Sequence, residues 1–190
     1  LCSTALVTAS ELLPDDPASD LTRSQVARLR RLVEDLLTLS RLDAAVEESA
    51  RETIDLADAA REALSLAAPT VPDARVTLRV ESSEPVELDL RRLEHVVRNL
   101  LGNLVRHGGG TGELVVSGTR LSLLDDGPGY PDEVLEAGPQ RFHGVGRTKG
   151  SGLGLTIVEK SLASMGAELV LTNRERAGAC TTLQFSPAGR

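Results

Sequence analysis

The sequence predicts an α+β fold in which a two-layer α/β sandwich follows an α-helical hairpin. In residues 1–50 apolar side chains recur at steps of three and four, interrupted by a turn rich in Pro, Asp and Ser at 14–20. Beyond residue 50, helical periodicity mixes with strand-like alternation without a regular βαβ order, which favours a mixed or antiparallel sheet packed under helices. We therefore expect a hairpin domain at 1–50 and a sandwich domain at 51–190.

Composition excludes several classes of function. The 190 residues carry a net charge of −7 and include no Trp, one Tyr and two Phe, so the chain lacks both the basic surface and the aromatic platforms that nucleic acids require. Cys2 and Cys180 lie in no CxxC or Cys/His cluster, which argues against a disulfide scaffold or a zinc site and favours a reducing compartment. No apolar run of about 18 residues exists, so we expect no membrane contact in this chain.

The hairpin consists of two predicted helices, one over residues 1–13 and one from about Leu21 to Glu48. The apolar stripe of the second helix runs along Val26, Leu29, Val33, Leu36 and Ser40. A hairpin cannot bury so wide a stripe by itself, so we expect two copies to form a homodimer with a four-helix bundle. The alternative is a helical linker that folds onto the next domain.

The sandwich domain is predicted from shorter patterns. Predicted strands lie at 51–56, 74–81, 86–90, 113–117, 120–124, 168–172 and 181–186. Predicted helices lie at 57–68, at about 90–107 and near 152–165. Gly118 and Thr119 are expected to join two of the strands as a tight turn.

Residues 96–107 read V-V-R-N-L-L-G-N-L-V-R-H, a helical stretch with two asparagines. On a helical wheel Asn99 and Asn103 lie one turn apart at the border of the apolar arc, Arg106 continues the same line, and His107 follows. Such a polar border is typical of a helix that lines a cleft. An ordinary solvated edge explains this stretch equally well when it is taken alone.

Two further stretches carry glycines at positions where a ligand could approach the backbone. In L-L-D-D-G-P-G-Y at 123–130, Asp125 could accept a hydrogen bond from an amino group, although a plain turn also explains the pattern. In G-V-G-R-T-K-G-S-G-L-G-L-T-I-V at 144–158, a Gly-rich loop with Arg147 and Lys149 precedes a helix start, which suits phosphate binding. It matches neither the Walker A nor the dinucleotide pattern, and a flexible loop at a glycine-packed helix start is the alternative.

In this order and spacing, the three stretches resemble the N, G1 and G2 boxes of the ATP-binding domain of bacterial sensor histidine kinases. Further segments resemble the second dimerisation helix at 33–43, the F box at 140–142, and the closing strands at 165–171 and 181–187. The resemblance implies the Bergerat ATP-binding fold, with ATP and Mg²⁺ as ligands.

The resemblance also implies roles for individual residues. Asn103 would ligate Mg²⁺, which prefers oxygen ligands, and Asn99 would help to place the metal and the phosphates. Asp125 would accept from the adenine amino group, and residues 138–152 would form a mobile ATP lid. The implied ATP-binding residues are Asn99, Asn103, Arg106, His107, Asp125, Gly127, Gly129, Arg147, Lys149, Gly150, Ser151, Gly152, Leu153, Gly154, Leu155 and Thr181.

The implied activity is transfer of the γ-phosphoryl group of ATP to a histidine and then to the receiver domain of a response regulator. Asn99 stands where hydrolysing relatives typically carry a Glu that activates water, which favours transfer over hydrolysis. The alternatives are an ATP hydrolase of the same fold and a nucleotide-binding dimerisation module without kinase activity. The family also implies a cytoplasmic location, in a parent protein commonly anchored in the cell membrane.

The chain departs from the family pattern in several places. None of His95, His107 and His143 fits the phosphoacceptor position, and Leu1 is expected to follow directly after that motif, so we expect a truncated kinase that cannot phosphorylate itself. Single positions differ as well. Arg106 stands for Lys, His107 for Tyr, Leu104 for Ala and Cys180 for Gly.

Overall fold

The computed structural model describes residues 17–43, 51–139 and 152–189. The predicted first helix at 1–13, the F box at 140–142 and most of the predicted lid lie outside these residues. So do Arg147, Lys149, Gly150 and Ser151, and the prediction of a hairpin and that of a domain boundary near residue 50 stay predictions.

The described helices and strands follow the predicted order. The helices are α1 (Pro17–Asp43), α2 (Leu56–Ala67), α3 (Leu90–His107), α4 (Asp132–Ala137) and α5 (Gly154–Met165), and a short 3₁₀ turn covers Ala68–Thr70. The strands are β1 (Glu52–Asp55), β2 (Arg75–Val80), β3 (Pro85–Leu88), β4 (Thr111–Ser117), β5 (Arg120–Asp125), β6 (Glu168–Asn173) and β7 (Ala179–Gln184).

The main sheet has five strands in the order β2-β4-β5-β7-β6, and a separate antiparallel pair joins β1 to β3. β2 pairs with β4 in parallel and the other neighbours are antiparallel, so the sheet is mixed, as predicted. Gly118 adopts a φ of 62° in the tight turn between β4 and β5. The predicted α+β sandwich is confirmed.

The core lies between one face of the sheet and helices α2, α3 and α5. Helix α3 contributes a continuous buried row of Leu93, Val96, Val97, Leu100, Leu101 and Leu104. Because side chains alternate along a strand, Leu121 and Leu183 point into this core while Ser122 and Thr182 share the other face and hydrogen bond to each other at 2.9 Å. This packing fixes the rotation of α3 and thereby decides which of its polar residues border the cleft.

The start of α3 is fixed by a capping residue. The Asp89 carboxylate accepts hydrogen bonds from the backbone N–H groups of Arg91 and Arg92, at 3.0 and 3.2 Å. An N-cap of this kind satisfies donors that have no partner in the first turn and contributes about 1 kcal/mol.

Helix α1 begins at Pro17, four residues before the predicted start, because proline fits the first turn of a helix. Leu29, Val33 and Leu36 of the predicted apolar stripe are 52%, 48% and 49% exposed. The helix also makes contacts with α5. None of the helices in the described part of the chain combines the length and the apolar character that a bilayer crossing demands.

Helix α4 was not predicted from the sequence. It spans Asp132–Ala137, is six residues long and has no fully buried residue. A helix of this length carries less than two turns of periodicity, which is too little for a pattern to emerge.

Candidate functional site

A cavity of about 540 Å³ opens between the C-terminal half of α3, the adjoining ends of strands β5 and β7, helix α4 and the start of α5. Two groups of residues surround this cavity. We call Asn99, Asn103, Arg106 and His107 of α3 the helix end. We call Asp125, Gly127, Tyr130 and Thr181, which come from β5, its following loop and β7, the sheet end.

At the helix end, two side-chain amides turn their oxygens to the same place. The Asn99 amide nitrogen donates to the backbone carbonyl of His95 at 2.9 Å, and this leaves its oxygen on the opposite side. A Cβ built on Gly154 would lie 3.3 Å from Oδ1 of Asn103 and 3.6 Å from Oδ1 of Asn99. Both oxygens therefore face the first residue of α5, where glycine leaves the backbone uncovered.

The ionisable side chains of the helix end are Arg106 and His107. Arg106 Nη2 donates to Asn103 Oδ1 at 2.8 Å, so the amide oxygen already holds a cationic group. Burial lowers the pKa of His107, the neighbouring Arg106 guanidinium lowers it further, and Asp125 opposes them. The imidazole is therefore neutral at pH 7, and Arg106 supplies the positive charge of this end.

At the sheet end, backbone groups hold the Asp125 carboxylate in place. Its Oδ1 accepts from the N–H of Gly127 at 2.9 Å and from the N–H of Ala179 at 3.1 Å. The Arg174 guanidinium donates to the backbone carbonyl of Asp125 at 2.8 Å and to the Asp126 carboxylate at 2.6 Å. Because both carboxylate bonds use Oδ1, the second oxygen of Asp125 can serve a ligand in the cavity.

Close backbone packing joins the two ends. A Cβ on Gly127 would lie 2.5 Å from the carbonyl oxygen of His107, and a Cβ on Gly108 would lie 2.9 Å from Cγ of Asp125. Real Cβ atoms do not approach other atoms so closely, so glycine is required at both positions. The loop after β5 thus packs directly on the C-terminus of α3.

Tyr130 lines the cavity but lies outside the predicted set of site residues. Its hydroxyl hydrogen bonds to the hydroxyl of Thr181 at 2.5 Å, and the Thr181 residue is only 3% exposed. The Asn173 side chain accepts from the backbone N–H of Tyr130 at 2.6 Å and donates to its carbonyl at 2.8 Å. Burial raises the pKa of the Tyr130 phenol, while the bond to Thr181 acts against the rise.

Most of the predicted site residues that the structure describes line the cavity. They are Asn103, Arg106, His107, Asp125, Gly129, Gly152, Gly154, Leu155 and Thr181. Asn99 and Gly127 stand behind this lining, with the contacts given above. Leu153 is fully buried and packs with Ile157, so its side chain is part of a small apolar cluster.

The apolar and aromatic part of the wall lies outside the predicted site. Leu100, Leu123, Val134 and Ala179 line the cavity beside Tyr130. Only Tyr130 carried a sequence signal, because it is the single tyrosine of the chain and directly follows the Gly-Pro-Gly turn.

Comparison with known proteins places this architecture in a family. The profile of the family described as "Histidine kinase-, DNA gyrase B-, and HSP90-like ATPase" matches residues 88–189, which is more than half of the chain. The chain therefore belongs to this ATPase family. The curated relatives that it matches include bacterial sensor histidine kinases, which confirms the resemblance of the three sequence boxes to that family.

The sensor protein CseC of Streptomyces avermitilis is 39% identical over 180 residues, which cover 93% of this chain and 36% of the relative. The chain thus spans about a third of the length of this relative and of two further curated relatives that it matches.

Two solved structures show the likeness in three dimensions. Full-length ShkA in complex with AMPPNP superposes with a TM-score of 0.74 at 25% identity, over 99% of this chain and 43% of ShkA. The histidine kinase AdeS of Acinetobacter baumannii has a TM-score of 0.66 at 21% identity, over 98% of this chain and 96% of AdeS, which bears on the fold alone.

Proposed function

We propose that this chain is the ATP-binding catalytic region of a two-component sensor histidine kinase. It transfers the γ-phosphoryl group of Mg-ATP to a histidine, from which the group passes to the receiver domain of a response regulator. The observation that carries the proposal is one cavity with a fixed carboxylate at the sheet end and two amide oxygens beside a guanidinium at the helix end. The likeness to ShkA, whose structure contains AMPPNP, supports it.

The two ends suit the two parts of ATP. Asp125 accepts from the adenine amino group, and Thr181 lies beside the base. The expected role of Gly129 in giving the base room is not supported, because a Cβ there would meet the Asn173 side chain. Arg106 and His107 lie where phosphates or ribose would be bound. From the sequence pattern alone we also propose Arg147, Lys149, Gly150, Ser151 and Gly152 as phosphate-binding residues, since backbone N–H groups at a helix start attract anions.

The donor set at the helix end fits magnesium. Within the described residues no cluster of three His, Cys, Asp or Glu side chains could hold a metal ion, so protein ligands come from amide oxygens and the remaining ones from phosphate and water. Asn103 Oδ1 already accepts from the Arg106 guanidinium at 2.8 Å, so this amide oxygen interacts with positive charge, as it would with a metal ion. Mg²⁺ bound here would neutralise charge that develops on the phosphate oxygens during transfer.

Asn99 favours phosphoryl transfer over hydrolysis. Its amide nitrogen is bound to the carbonyl of His95, and an amide cannot take a proton from water as a carboxylate can. In the proposed step a nitrogen of the acceptor imidazole bonds to the γ-phosphorus, the bond from that phosphorus to the bridging oxygen breaks, and ADP leaves. The chain contributes mainly by positioning its substrate and by stabilising charge.

The proposed assembly is a homodimer that forms through the helical hairpin. Leu29, Val33 and Leu36 of α1 leave about half of their surface exposed in one copy, which supports a partner helix at this face. By the same family argument we propose a cytoplasmic location and a response regulator receiver domain as partner. We propose no contact of these 190 residues with membrane or nucleic acid.

Replacing Asn103 by Ala tests the nucleotide and metal assignment. We expect ATP affinity in Mg²⁺ to fall at least about tenfold, equivalent to about 1.4 kcal/mol, and the difference in affinity between Mg²⁺ and EDTA to disappear. Isothermal titration calorimetry with ATP measures both. Gln25→Ala is the matched control, because it removes an exposed amide from helix α1. Unchanged affinity in the Asn103 variant would refute the metal assignment.

Transfer itself is tested with γ-labelled ATP and a chain extended upstream of Leu1 that carries an acceptor histidine. We expect acid-labile, base-stable phosphate on the protein. Release of inorganic phosphate without labelled protein would favour the hydrolase, and retained binding without either product would favour the non-catalytic module.

A further inference from the structure

We propose that Tyr130 is a positioning residue that fixes the Thr181 hydroxyl as a hydrogen-bond donor towards the cavity, and that this makes the sheet end selective for adenine. Selection is against purines that carry a proton on ring nitrogen N1, such as hypoxanthine and guanine. The inference rests on the proposed function. It adds Tyr130 as the residue that contacts Thr181 and makes its hydroxyl a hydrogen-bond donor to the base.

The Tyr130 backbone is held in a fixed position by Asn173. Asn173 accepts from its N–H and donates to its carbonyl, so the side chain of one strand end holds both polar groups of the residue. A Cβ on Gly129, whose φ is +84°, would lie 2.7 Å from Oδ1 of Asn173, which shows how closely the two segments pack. The phenol ring therefore enters the cavity wall from a rigid support.

The hydroxyl groups of Tyr130 and Thr181 lie 2.5 Å apart, and their acidities decide which of them donates the hydrogen bond. A phenol is far more acidic than an aliphatic alcohol, so Tyr130 is the better donor and Thr181 the better acceptor. Burial raises the pKa of Tyr130 and keeps the phenol protonated. Once the Thr181 oxygen accepts from Tyr130, its own proton must point elsewhere, and Thr181 lines the cavity.

The hydrogen-bonding groups of Asp125 and Thr181 match those of adenine. Strand pairing sets Leu123 opposite Thr181, so Thr181 lies near the end of β5 at which Asp125 stands. Asp125 then offers an acceptor and Thr181 a donor along one side of the cavity. Adenine presents the complementary pair, an amino donor next to the N1 acceptor.

Hypoxanthine and guanine present the opposite pair, a carbonyl acceptor next to an N1–H donor, and would leave buried polar groups unpaired. Rejection of such a ligand is strong because each unpaired buried group keeps its desolvation cost.

The test compares the affinities of ATP and inosine triphosphate in Mg²⁺ by calorimetry, for the whole chain and for Tyr130→Phe. Removing the phenol hydroxyl lets the Thr181 hydroxyl rotate and accept as well as donate. We expect ATP to bind about 3- to 10-fold more weakly and inosine triphosphate to bind as well as before or better, so that the affinity ratio falls about tenfold. Equal weakening of both nucleotides would mean a merely structural role and would overturn the proposal.

Variants of Thr181 separate positioning from general damage. Thr181→Val should lower the same ratio, and adding Tyr130→Phe to it should change the ratio no further, whereas an additional loss would contradict the coupling. Thr181→Ser keeps the hydroxyl and should keep most of the selectivity. If the unaltered chain binds neither nucleotide, the proposed function fails, and the inference fails with it. If it binds ATP but Tyr130→Phe leaves the ratio unchanged, only the inference fails.

Discussion

The two ends of the cavity are built in different ways. The helix end comes from a single helix, where Asn99, Asn103 and Arg106 follow one another at helical spacing and hydrogen bond to groups three or four residues away. The sheet end is assembled from distant segments: the Asp125 carboxylate binds a backbone N–H that is 54 residues further along the chain, and Tyr130 binds Thr181 across 51 residues. One end depends on local periodicity, and the other depends on strand order.

This difference implies that the two ends of the cavity differ in rigidity. The sheet end is preorganised, because backbone N–H groups and the Asn173 side chain hold its polar atoms before any ligand binds. The helix end consists of side chains that can change partners, since Arg106 must leave the Asn103 oxygen if a metal ion takes that oxygen. Under the proposed function, a fixed surface would recognise the base, whereas side chains that can change partners would bind phosphate and metal.

The largest expected effect comes from breaking the sheet end at Gly178. This residue has a φ of +102°, and an added Cβ would lie 1.8 Å from the carbonyl oxygen of Asp125. Gly178→Ala should therefore lower the free energy of unfolding by about 3 kcal/mol or more, from steric overlap and backbone strain together.

Urea unfolding measures this loss, with Gly189→Ala as the control because no atom lies within 4 Å of its added Cβ. The chain has one tyrosine and no tryptophan, so tyrosine fluorescence reports on the sheet end through Tyr130. A variant as stable as the control would show that the start of β7 can move away from Asp125 without loss of stability. The sheet end would then not be rigid.

The next largest effect is expected from Asp125→Asn, which tests recognition of the base while keeping the backbone hydrogen bonds that hold the side chain. The new amide oxygen can still accept from Gly127 and Ala179, but the amide nitrogen then faces the adenine amino group, donor against donor. ATP affinity should fall about 100-fold, or about 2.7 kcal/mol. Calorimetry measures the affinity and urea unfolding checks the fold.

Asp126→Asn provides the matched control for that substitution. Its side chain is 83% exposed and pairs with Arg174, and exposed ion pairs contribute little. We expect its ATP affinity to stay within about twofold of the unaltered chain, which corresponds to less than 1 kcal/mol. Similar affinities for both variants would remove Asp125 from base recognition.

The same contrast explains how far the sequence could predict the site. The border position of Asn99, Asn103 and Arg106 followed from helical geometry, and burial of the neighbouring row on α3 agrees with it. Asp125 and Gly127 were found because a turn pattern is local. Tyr130 and Asn173 were not selected, because their contact requires β6 and β7 to lie beside β5, and no local spacing encodes that order.

The smallest expected effect concerns His107 and the dependence of stability on pH. Burial and Arg106 lower the pKa of His107 in the folded chain, so the unfolded chain takes up the proton first as pH falls. Stability should therefore fall as pH drops below about 7, through the unfolded value of 6.5, and the loss should level off below the folded value. The effect is small because solvent screens a half-exposed side chain.

His107→Gln should flatten this dependence between pH 8 and pH 5.5, as followed by urea unfolding at several pH values. At pH 8 the imidazole is neutral in both states, so the comparison there isolates any packing loss from the charge effect. An equal slope in both proteins would mean that other groups set the pH dependence. A flatter slope in the variant would show that protonation of His107 costs stability at the helix end, because the imidazole is partly buried and lies beside the Arg106 guanidinium.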